Sequence, residues 1–133
     1  MYFWESFKKY KISSFNGVPY AYKIIDRLAI NDLFNINVRY LTKAGGELDD
    51  KLKKKFIIKC NKKKMKFYCM YGQTEASPRI SFLDPKLAIK KLGSIGKPLI
   101  NYKIKLLGKK NRFILKSNEI GKLILFGKNV FLG

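Results

Sequence analysis

A regular alternation of helical and extended apolar patterns over the first 78 residues is the feature that most restricts the fold of this chain. Apolar residues recur at helical spacing in three segments, 3–10, 19–29 and 49–60. Short apolar runs typical of strands fall between or after these segments, at 12–15, 38–42 and 65–70. Helices that alternate with strands connect parallel strands by right-handed crossovers. The pattern therefore predicts an α/β fold, with a parallel βαβ-type sheet and helical crossovers over residues 1–78.

The pattern changes after residue 78. Four short strand candidates follow, at 80–82, 102–107, 113–115 and 122–126, separated by turns that contain Gly, Pro, Asn and Lys. One helical turn is predicted within 85–91. Short strands joined by such turns favour antiparallel pairing, so residues 79–133 are predicted to be a β-rich antiparallel segment. No internal repeat and no Ser/Gly-rich linker interrupts the 133 residues.

Composition excludes several classes of protein. Hydrophobic residues make up 47% of the chain, enough for a packed core, which argues against global disorder. The sequence has no His, which removes His-based catalytic triads and most zinc sites. Its two cysteines, Cys60 and Cys69, are too few for a disulfide framework and are typical of a reducing cytosol. No apolar run reaches the roughly 18 residues of a transmembrane helix, so we expect a cytoplasmic protein without a transmembrane segment.

The formal net charge of +20 raises the question of nucleic-acid binding. Nearly all of this charge comes from Lys, and interfaces that recognise bases favour Arg, which pairs bidentately with guanine. Abundant Lys, Ile, Asn, Phe and Tyr are the bias of AT-rich codons. We therefore expect no specific nucleic-acid partner, and we assign the lysine runs 53–55 and 62–64 to a solvated face.

The residues Tyr71-Gly72-Gln73-Thr74-Glu75-Ala76 follow the apolar run Phe67-Tyr68-Cys69-Met70. Ligands of open α/β sheets bind outside the carboxyl ends of strands, which is where this segment is expected. An aromatic ring can stack on a base, a Thr hydroxyl can hydrogen-bond a phosphate oxygen, and a Glu carboxylate can hold Mg²⁺. On these residues alone, an ordinary polar turn at a strand end is an equally good interpretation.

Four segments together resemble the adenylate-forming ligase superfamily, the AMP-binding group that includes acyl-CoA synthetases. They occur in the family's order and at its approximate spacing: Leu41-Thr42-Lys43-Ala44-Gly45-Gly46-Glu47-Leu48, then the segment at 71–76, then Leu92-Gly93-Ser94-Ile95-Gly96-Lys97-Pro98-Leu99, and finally Glu119-Ile120-Gly121-Lys122-Leu123 with Gly127-Lys128-Asn129-Val130-Phe131-Leu132-Gly133. The resemblance implies that residues 1–133 are a single, partial AMP-binding domain, part of an acyl-CoA synthetase-like N-terminal domain.

The resemblance also implies roles for individual residues. The backbone of Gly45-Gly46-Glu47 would pass beside the adenine, although Glu47 stands where the family frequently has a small residue or Pro. In the second segment, Tyr71 would stack on the adenine and Gly72 would leave space for the acyl carboxylate, with Gln73 beside them in the nucleotide site. Thr74 would hydrogen-bond the phosphate of ATP or of the acyl-adenylate, and Glu75 would hold Mg²⁺.

Two other glycine-containing segments are interpreted differently. Gly93, Gly96 and Pro98 are expected to shape a turn. Gly121, Gly127 and Lys128 do not form a Walker A loop, because five residues separate the glycines and Asn follows the Lys.

The function implied by the resemblance is activation of a carboxylic acid with ATP to an acyl-adenylate, followed by transfer to a thiol, expected to be coenzyme A. No Ser/Thr/Gly-rich, Lys-containing phosphate loop precedes Gly45, and the family's ribose-binding Asp and catalytic Lys would follow Gly133. We therefore expect an internal piece of the ligase that is inactive by itself, with the remainder of a split or truncated enzyme as a partner. Two alternatives stay open: a basic module for RNA or membrane surfaces, with strongly salt-dependent binding, and a non-functional remnant.

Overall fold

The computed structural model describes residues 2–34 and 37–131. Three α-helices are present in these ranges: α1 Tyr2–Lys9, α2 Pro19–Arg27 and α3 Asp50–Lys62. Eight strands are present: β1 Ser14–Gly17, β2 Tyr40–Lys43, β3 Lys66–Tyr71, β4 Ser81–Leu83, β5 Lys97–Pro98, β6 Tyr102–Leu107, β7 Phe113–Ile114 and β8 Lys122–Gly127. Four short 3-10 helices complete the described elements, at Asp32–Phe34, Thr74–Ala76, Pro85–Leu87 and Lys109–Asn111.

The first sheet contains five strands in the order β1-β2-β3-β4-β5. The pairs β1–β2 and β2–β3 are parallel, and the pairs β3–β4 and β4–β5 are antiparallel. The predicted α/β class, with parallel strands joined by helical crossovers, is confirmed. The antiparallel strands continue the same sheet beyond residue 78, so the division of the chain at that point stays a prediction.

Helices α2 and α3 pack on one face of this sheet. Because β1, β2 and β3 lie in chain order, crossovers of the same hand place both connecting helices on the same side. Tyr22 of α2 contacts the rings of Phe56 in α3 and Phe67 in β3, with ring centroids 4.9 and 5.5 Å apart. An ion pair of 2.6 Å between Lys55 and Asp26 links the two helices. This face therefore forms the main core.

The opposite face of the first sheet carries aromatic side chains, and α2 and α3 do not pack on it. Tyr40, Tyr68 and Phe82 lie on adjacent strands, and each neighbouring pair of ring centroids is 6.0 Å apart. Tyr40 and Tyr68 are half-buried, and Phe82 is exposed. We call this the open face, and the other the helix face.

A second, three-stranded antiparallel sheet in the order β7-β6-β8 packs against the loop that follows β3. The hydroxyl of Tyr102 donates to the backbone oxygen of Ala76, and the Ser77 hydroxyl donates to the backbone oxygen of Asn129 at 3.2 Å. The backbone nitrogen of Phe131 donates to the backbone oxygen of Glu75 at 2.7 Å. The second sheet thus holds the residues around Glu75 in place.

Some predicted boundaries move for local reasons. The first strand begins at Ser14 rather than Ile12, because the Ile12 nitrogen donates to the Phe7 oxygen at 3.0 Å and closes the end of α1.

The predicted solvated position of Lys53 is wrong, since this side chain is 5% exposed. Gly121 precedes β8 and Gly127 ends it, so the residues between them form a strand. This agrees with the rejection of a phosphate loop at that position. No helix in the described ranges is both long and apolar enough to span a bilayer.

Candidate functional site

Two loops that contain the predicted site residues lie side by side at one edge of the first sheet. Strand β2 ends at Lys43 and β3 ends at Tyr71, and the two strands are parallel neighbours with Lys43 opposite Cys69. The carboxyl ends of parallel strands meet at the same edge, which is where ligands bind in open α/β sheets. The segments 45–47 and 71–74 are therefore brought together.

The backbone of Gly45 and Gly46 has the left-handed geometry that favours glycine. Their φ angles are +73° and +132°. A Cβ on Gly45 would lie 3.3 Å from the Val18 side chain, so the loop also packs against the chain that follows β1. Glycine is required at these two positions because other residues rarely adopt such φ angles.

Gly72 is required for a different reason. A Cβ at this position would lie 1.6 Å from the backbone oxygen of Pro78, which no rearrangement of a side chain could relieve. The loop returns to the sheet directly afterwards, where the Ile80 nitrogen donates to the Tyr71 oxygen at 2.9 Å. The close approach of two backbones closes the loop that carries Thr74 and Glu75.

A cavity of about 400 Å³ opens on the helix side of these loops. The side chains and backbone that line it come from both loops, from α3 and from the segment before β5: Lys43, Gly45, Gly46, Glu47, Lys53, Cys69, Met70, Tyr71, Gly72, Gln73, Leu92, Gly93, Ser94 and Ile95. We call it the helix-side cavity. It contains six of the eight predicted site residues.

A second cavity, of about 370 Å³, lies on the open-face side of the same loops. Its lining residues are Asn16, Gly17, Val18, Thr42, Ala44, Gly45, Met70, Tyr71, Gly72, Gln73, Thr74, Pro78 and Arg79. We call it the open-side cavity. Both cavities are lined by Gly45, Met70, Tyr71, Gly72 and Gln73, so the two spaces meet at the strand end and the loop tips.

Thr74 and Glu75 begin the 3-10 helix after β3, and both are exposed. Thr74 lines the open-side cavity, whereas Glu75 lines neither cavity. The Glu75 backbone is fixed by the hydrogen bond from Phe131, and its carboxylate has no ion-pair partner among the described residues. Its side chain is thus in solvent rather than in an apolar interior.

Two lysines, Lys43 and Lys53, line the helix-side cavity although neither was among the predicted site residues. The ammonium of Lys53 lies 2.5 Å from an Asp50 oxygen and 3.1 Å from the backbone oxygen of Leu92. Lys43 has no hydrogen-bond or ion-pair partner in the described part of the chain. Burial, and secondarily the charge of Lys53, lower the pKa of Lys43. A half-buried ammonium without a partner is suited to donate hydrogen bonds to a ligand.

Cys69 and Gly93 also belong to this cavity. Burial raises the pKa of the Cys69 thiol, although the nearby ammonium groups of Lys53 and Lys43 oppose that rise. The thiol is therefore neutral at pH 7 and contributes a small hydrophobic surface to the cavity wall. Gly93 was expected only to shape a turn, but a Cβ there would meet nothing within 4 Å and the residue lines the cavity. Ordinary sequence patterns give no signal for either contact.

The turn role expected of Gly96 has a clear structural cause. Gly96 has a φ of +79°, and a Cβ there would lie 1.9 Å from the Phe82 backbone oxygen. The Ser81 hydroxyl donates to the Ile95 oxygen at 2.7 Å, so this segment is held against β4.

The residues around Glu75 are compatible with Mg²⁺ held jointly with a phosphate ligand. In the described ranges no cluster of three or more His, Cys, Asp or Glu side chains could hold a metal by itself. Mg²⁺ in nucleotide sites is typically bound by one or two carboxylates together with phosphate oxygens and water. A single exposed, unpaired carboxylate meets that requirement.

An open α/β sheet with cavities at the carboxyl ends of neighbouring parallel strands defines a ligand-binding α/β protein. Comparison with known families identifies the class of protein more specifically. The profile of the AMP-binding enzyme family matches residues 1–133, and the chain belongs to that family. The four-segment resemblance in the sequence is confirmed by this match.

Relatives and solved structures agree with the family. The chain is 34% identical over 111 residues to a 2-succinylbenzoate–CoA ligase of Oceanobacillus iheyensis, covering 84% of this chain and 21% of that protein. Its fold is similar to a long-chain-fatty-acid–CoA ligase of Archaeoglobus fulgidus, with a TM-score of 0.77 and 19% identity over 97% of this chain and 27% of the other. It is also similar to o-succinylbenzoate CoA synthetase of Bacillus subtilis in complex with ATP and magnesium ion, with a TM-score of 0.75 and 23% identity over 97% of this chain and 26% of the other. The chain thus spans about a fifth of the curated relative, and the structural similarities establish the N-terminal-domain fold.

Proposed function

We propose that this chain contributes part of the active site of an AMP-forming acid–thiol ligase. Such an enzyme activates a carboxylic acid with ATP and transfers the acyl group to a thiol, here coenzyme A. The observation that carries the proposal is the shared position of segments 45–47 and 71–74, which line common cavities at the ends of β2 and β3. Family membership supports the same chemistry.

The two cavities suit the two halves of an acyl-adenylate. The helix-side cavity collects Gly46 and Glu47 together with Tyr71, the residues assigned to adenine, so we place the nucleotide base there. The open-side cavity contains Thr74, the residue assigned to phosphate, and we place the acid there. The cavities meet at Gly45 and Gly72, where the carboxylate and the α-phosphate must come together.

In the first half-reaction a carboxylate oxygen attacks the α-phosphorus of ATP and pyrophosphate leaves. Charge that accumulates on the phosphoryl oxygens must be held by positioned donors. The Thr74 hydroxyl would donate to a phosphate oxygen, and the half-buried Tyr71 ring would hold the base. Mg²⁺, held by Glu75, would neutralise phosphate charge. Because the matched relative is a 2-succinylbenzoate–CoA ligase, 2-succinylbenzoate is the first acid to test.

The chain alone is expected to bind nucleotide without turning it over. The phosphate loop and the catalytic Lys implied by the resemblance do not occur in these 133 residues. Carboxylate-dependent ATP–pyrophosphate exchange should be absent, whereas isothermal titration calorimetry should detect the binding of AMP. Thr74→Ala should weaken AMP binding by about tenfold or more, since a hydrogen bond to a charged group contributes about 1.5–3 kcal/mol. Ser117→Ala, at an exposed position outside both cavities, is the matched control.

Magnesium provides a second readout at the same site. Glu75→Ala should reduce the Mg²⁺ dependence of ATP binding and leave AMP binding without metal unchanged. Glu119→Ala, another exposed carboxylate, controls for the loss of one negative charge. Absence of AMP binding by the native chain, or binding indifferent to Thr74→Ala, would show that the two loops do not form a nucleotide site.

A further inference from the structure

We infer that the open-side cavity selects acids that carry a second hydrogen-bond acceptor in addition to the carboxylate that is activated, and that Asn16 recognises this acceptor. The inference rests on the proposed function, because it places the acid in this cavity. It concerns selectivity for the acid, which none of the similarities to known ligases assigns to a residue of this chain.

The orientation of the Asn16 amide is fixed by its neighbour on β2. Asn16 and Thr42 are opposite one another in the parallel register of β1 and β2, so their side chains lie on the same, open face. The Thr42 hydroxyl donates to the Asn16 Oδ1 atom at 2.7 Å. Thr42 is only 2% exposed, so this hydroxyl has little access to water and its hydrogen bond is held in a protected position.

With its oxygen engaged by Thr42, the amide of Asn16 presents its nitrogen. Asn16 is exposed and lines the open-side cavity, and its Nδ2 group has no hydrogen-bond partner among the described residues. An amide nitrogen provides two donors and no acceptor. A ligand in contact with it must therefore supply an oxygen or nitrogen lone pair.

A second donor group lines the same cavity. The exposed guanidinium of Arg79 has no ion-pair partner in the described ranges. Guanidinium groups only donate hydrogen bonds and favour carboxylates. Val18 and Met70 supply apolar surface in the same cavity. An acid with an apolar body and a keto or second carboxylate group matches this lining better than a plain hydrocarbon acid does.

A purely structural role for the Asn16–Thr42 pair explains less of the arrangement. The β1–β2 pair already extends over four residue pairs, from Ser14 opposite Tyr40 to Gly17 opposite Lys43. A side-chain hydrogen bond at the end of that ladder adds little to strand pairing. It does determine which atom of Asn16 faces the cavity.

The test uses two acids that differ only by one carbonyl group, 4-oxo-4-phenylbutanoate and 4-phenylbutanoate. Each is titrated into the ¹⁵N-labelled chain in the presence of AMP, and the side-chain amide signal of Asn16 is followed by nuclear magnetic resonance. Its assignment comes from the loss of that signal in Asn16→Asp. The keto acid should bind about fivefold more tightly and should be the one that shifts this signal, as expected for one added hydrogen bond.

The Asn16→Asp variant is the sharpest arm of the experiment. An Asp can still accept from Thr42, but it presents an anionic acceptor to the cavity, so the preference for the keto acid should disappear or reverse. Thr42→Val should reduce the preference, because Asn16 loses the hydrogen bond that fixes the orientation of its amide. Asn118→Asp, which adds the same charge at an exposed turn outside the cavity, should keep the native preference.

The outcomes are separable from those of the nucleotide test. Equal affinity for the two acids, an Asn16 signal that neither acid moves, or a preference that survives Asn16→Asp overturns the inference. So does the absence of binding by both acids while AMP binds normally, a result that would leave the nucleotide site intact. Loss of AMP binding as well would overturn the proposed function together with the inference.

Discussion

Gly72 shows how strongly a single residue can be determined by the approach of two backbones. With a Cβ 1.6 Å from the Pro78 oxygen, Gly72→Ala forces the loop away from its return segment. We expect destabilisation by at least about 1–3 kcal/mol, the usual range for overpacking. The measurement is the urea midpoint of unfolding, with the slope used to check that the transition stays two-state.

Gly93 provides the matched control, because it also lines the helix-side cavity. No atom lies within 4 Å of a Cβ at this position. Gly93→Ala should therefore change the free energy of unfolding by no more than about 0.5 kcal/mol, the typical range for open surface positions. Equal effects of the two substitutions would show that the Pro78 contact does not constrain Gly72.

For single residues, the sequence could predict which positions belong to the site, but not every contact that makes a residue type necessary there. The motif at 71–76 identified Gly72, but its contact with Pro78 exists only once the loop has folded back six residues later. Lys53 was assigned to solvent because lysine counts as polar in any periodicity argument. Its burial depends on an oxygen of Leu92, 39 residues away, which a local pattern cannot anticipate.

Helix α3 is the element on which the helix face of the first sheet most depends. Asp49 caps it, and its carboxylate accepts from the backbone nitrogens of Lys51 and Leu52 at 3.0 and 3.1 Å. Asp49→Ala leaves both donors without a partner and should cost about 0.5–2 kcal/mol. Thermal unfolding followed by far-ultraviolet circular dichroism measures the loss.

Asp84 is a suitable comparison for the cap. Its carboxylate also accepts a backbone hydrogen bond, from Lys86 at 2.9 Å, but the helix it begins has three residues. Asp84→Ala should lower the midpoint of thermal unfolding less than Asp49→Ala does, because fewer packed residues depend on that helical turn. Equal stability of the two variants would show that the cap of α3 contributes no more than the cap of a single 3-10 turn.

Elements with a strong repeating pattern were the predictable ones. The 3.6-residue spacing of apolar residues predicted α3 closely, and β3 begins and ends within one residue of its apolar run. Strand β5 was missed because two residues, Lys97 and Pro98, carry no periodic signal, and their pairing with β4 depends on the turn at Gly96. Short elements defined by tertiary contacts lie beyond such patterns.

At the scale of the whole molecule, the second sheet braces the loop that carries the proposed phosphate and metal residues. A small cluster of Ala76, Ile80 and Tyr102 is buried where the sheet meets that loop, and partly buried Tyr71 packs against it. Three hydrogen bonds cross the same junction. The β-rich segment, which contains no predicted site residue, therefore acts on the site through the position of residues 74–77.

This coupling predicts that Tyr102→Phe weakens the site without touching either cavity. The buried Ala76 oxygen would lose its donor, which costs about 1–3 kcal/mol, and the loop around Thr74 should open more readily. Amide exchange should accelerate at Ala76 and Ser77, and AMP affinity should fall. Tyr20→Phe, at a tyrosine that is 70% exposed, should change neither. Faster exchange in Tyr102→Phe with unchanged AMP affinity would separate the brace from the nucleotide site, because the loop would then open without affecting the ligand it is proposed to hold.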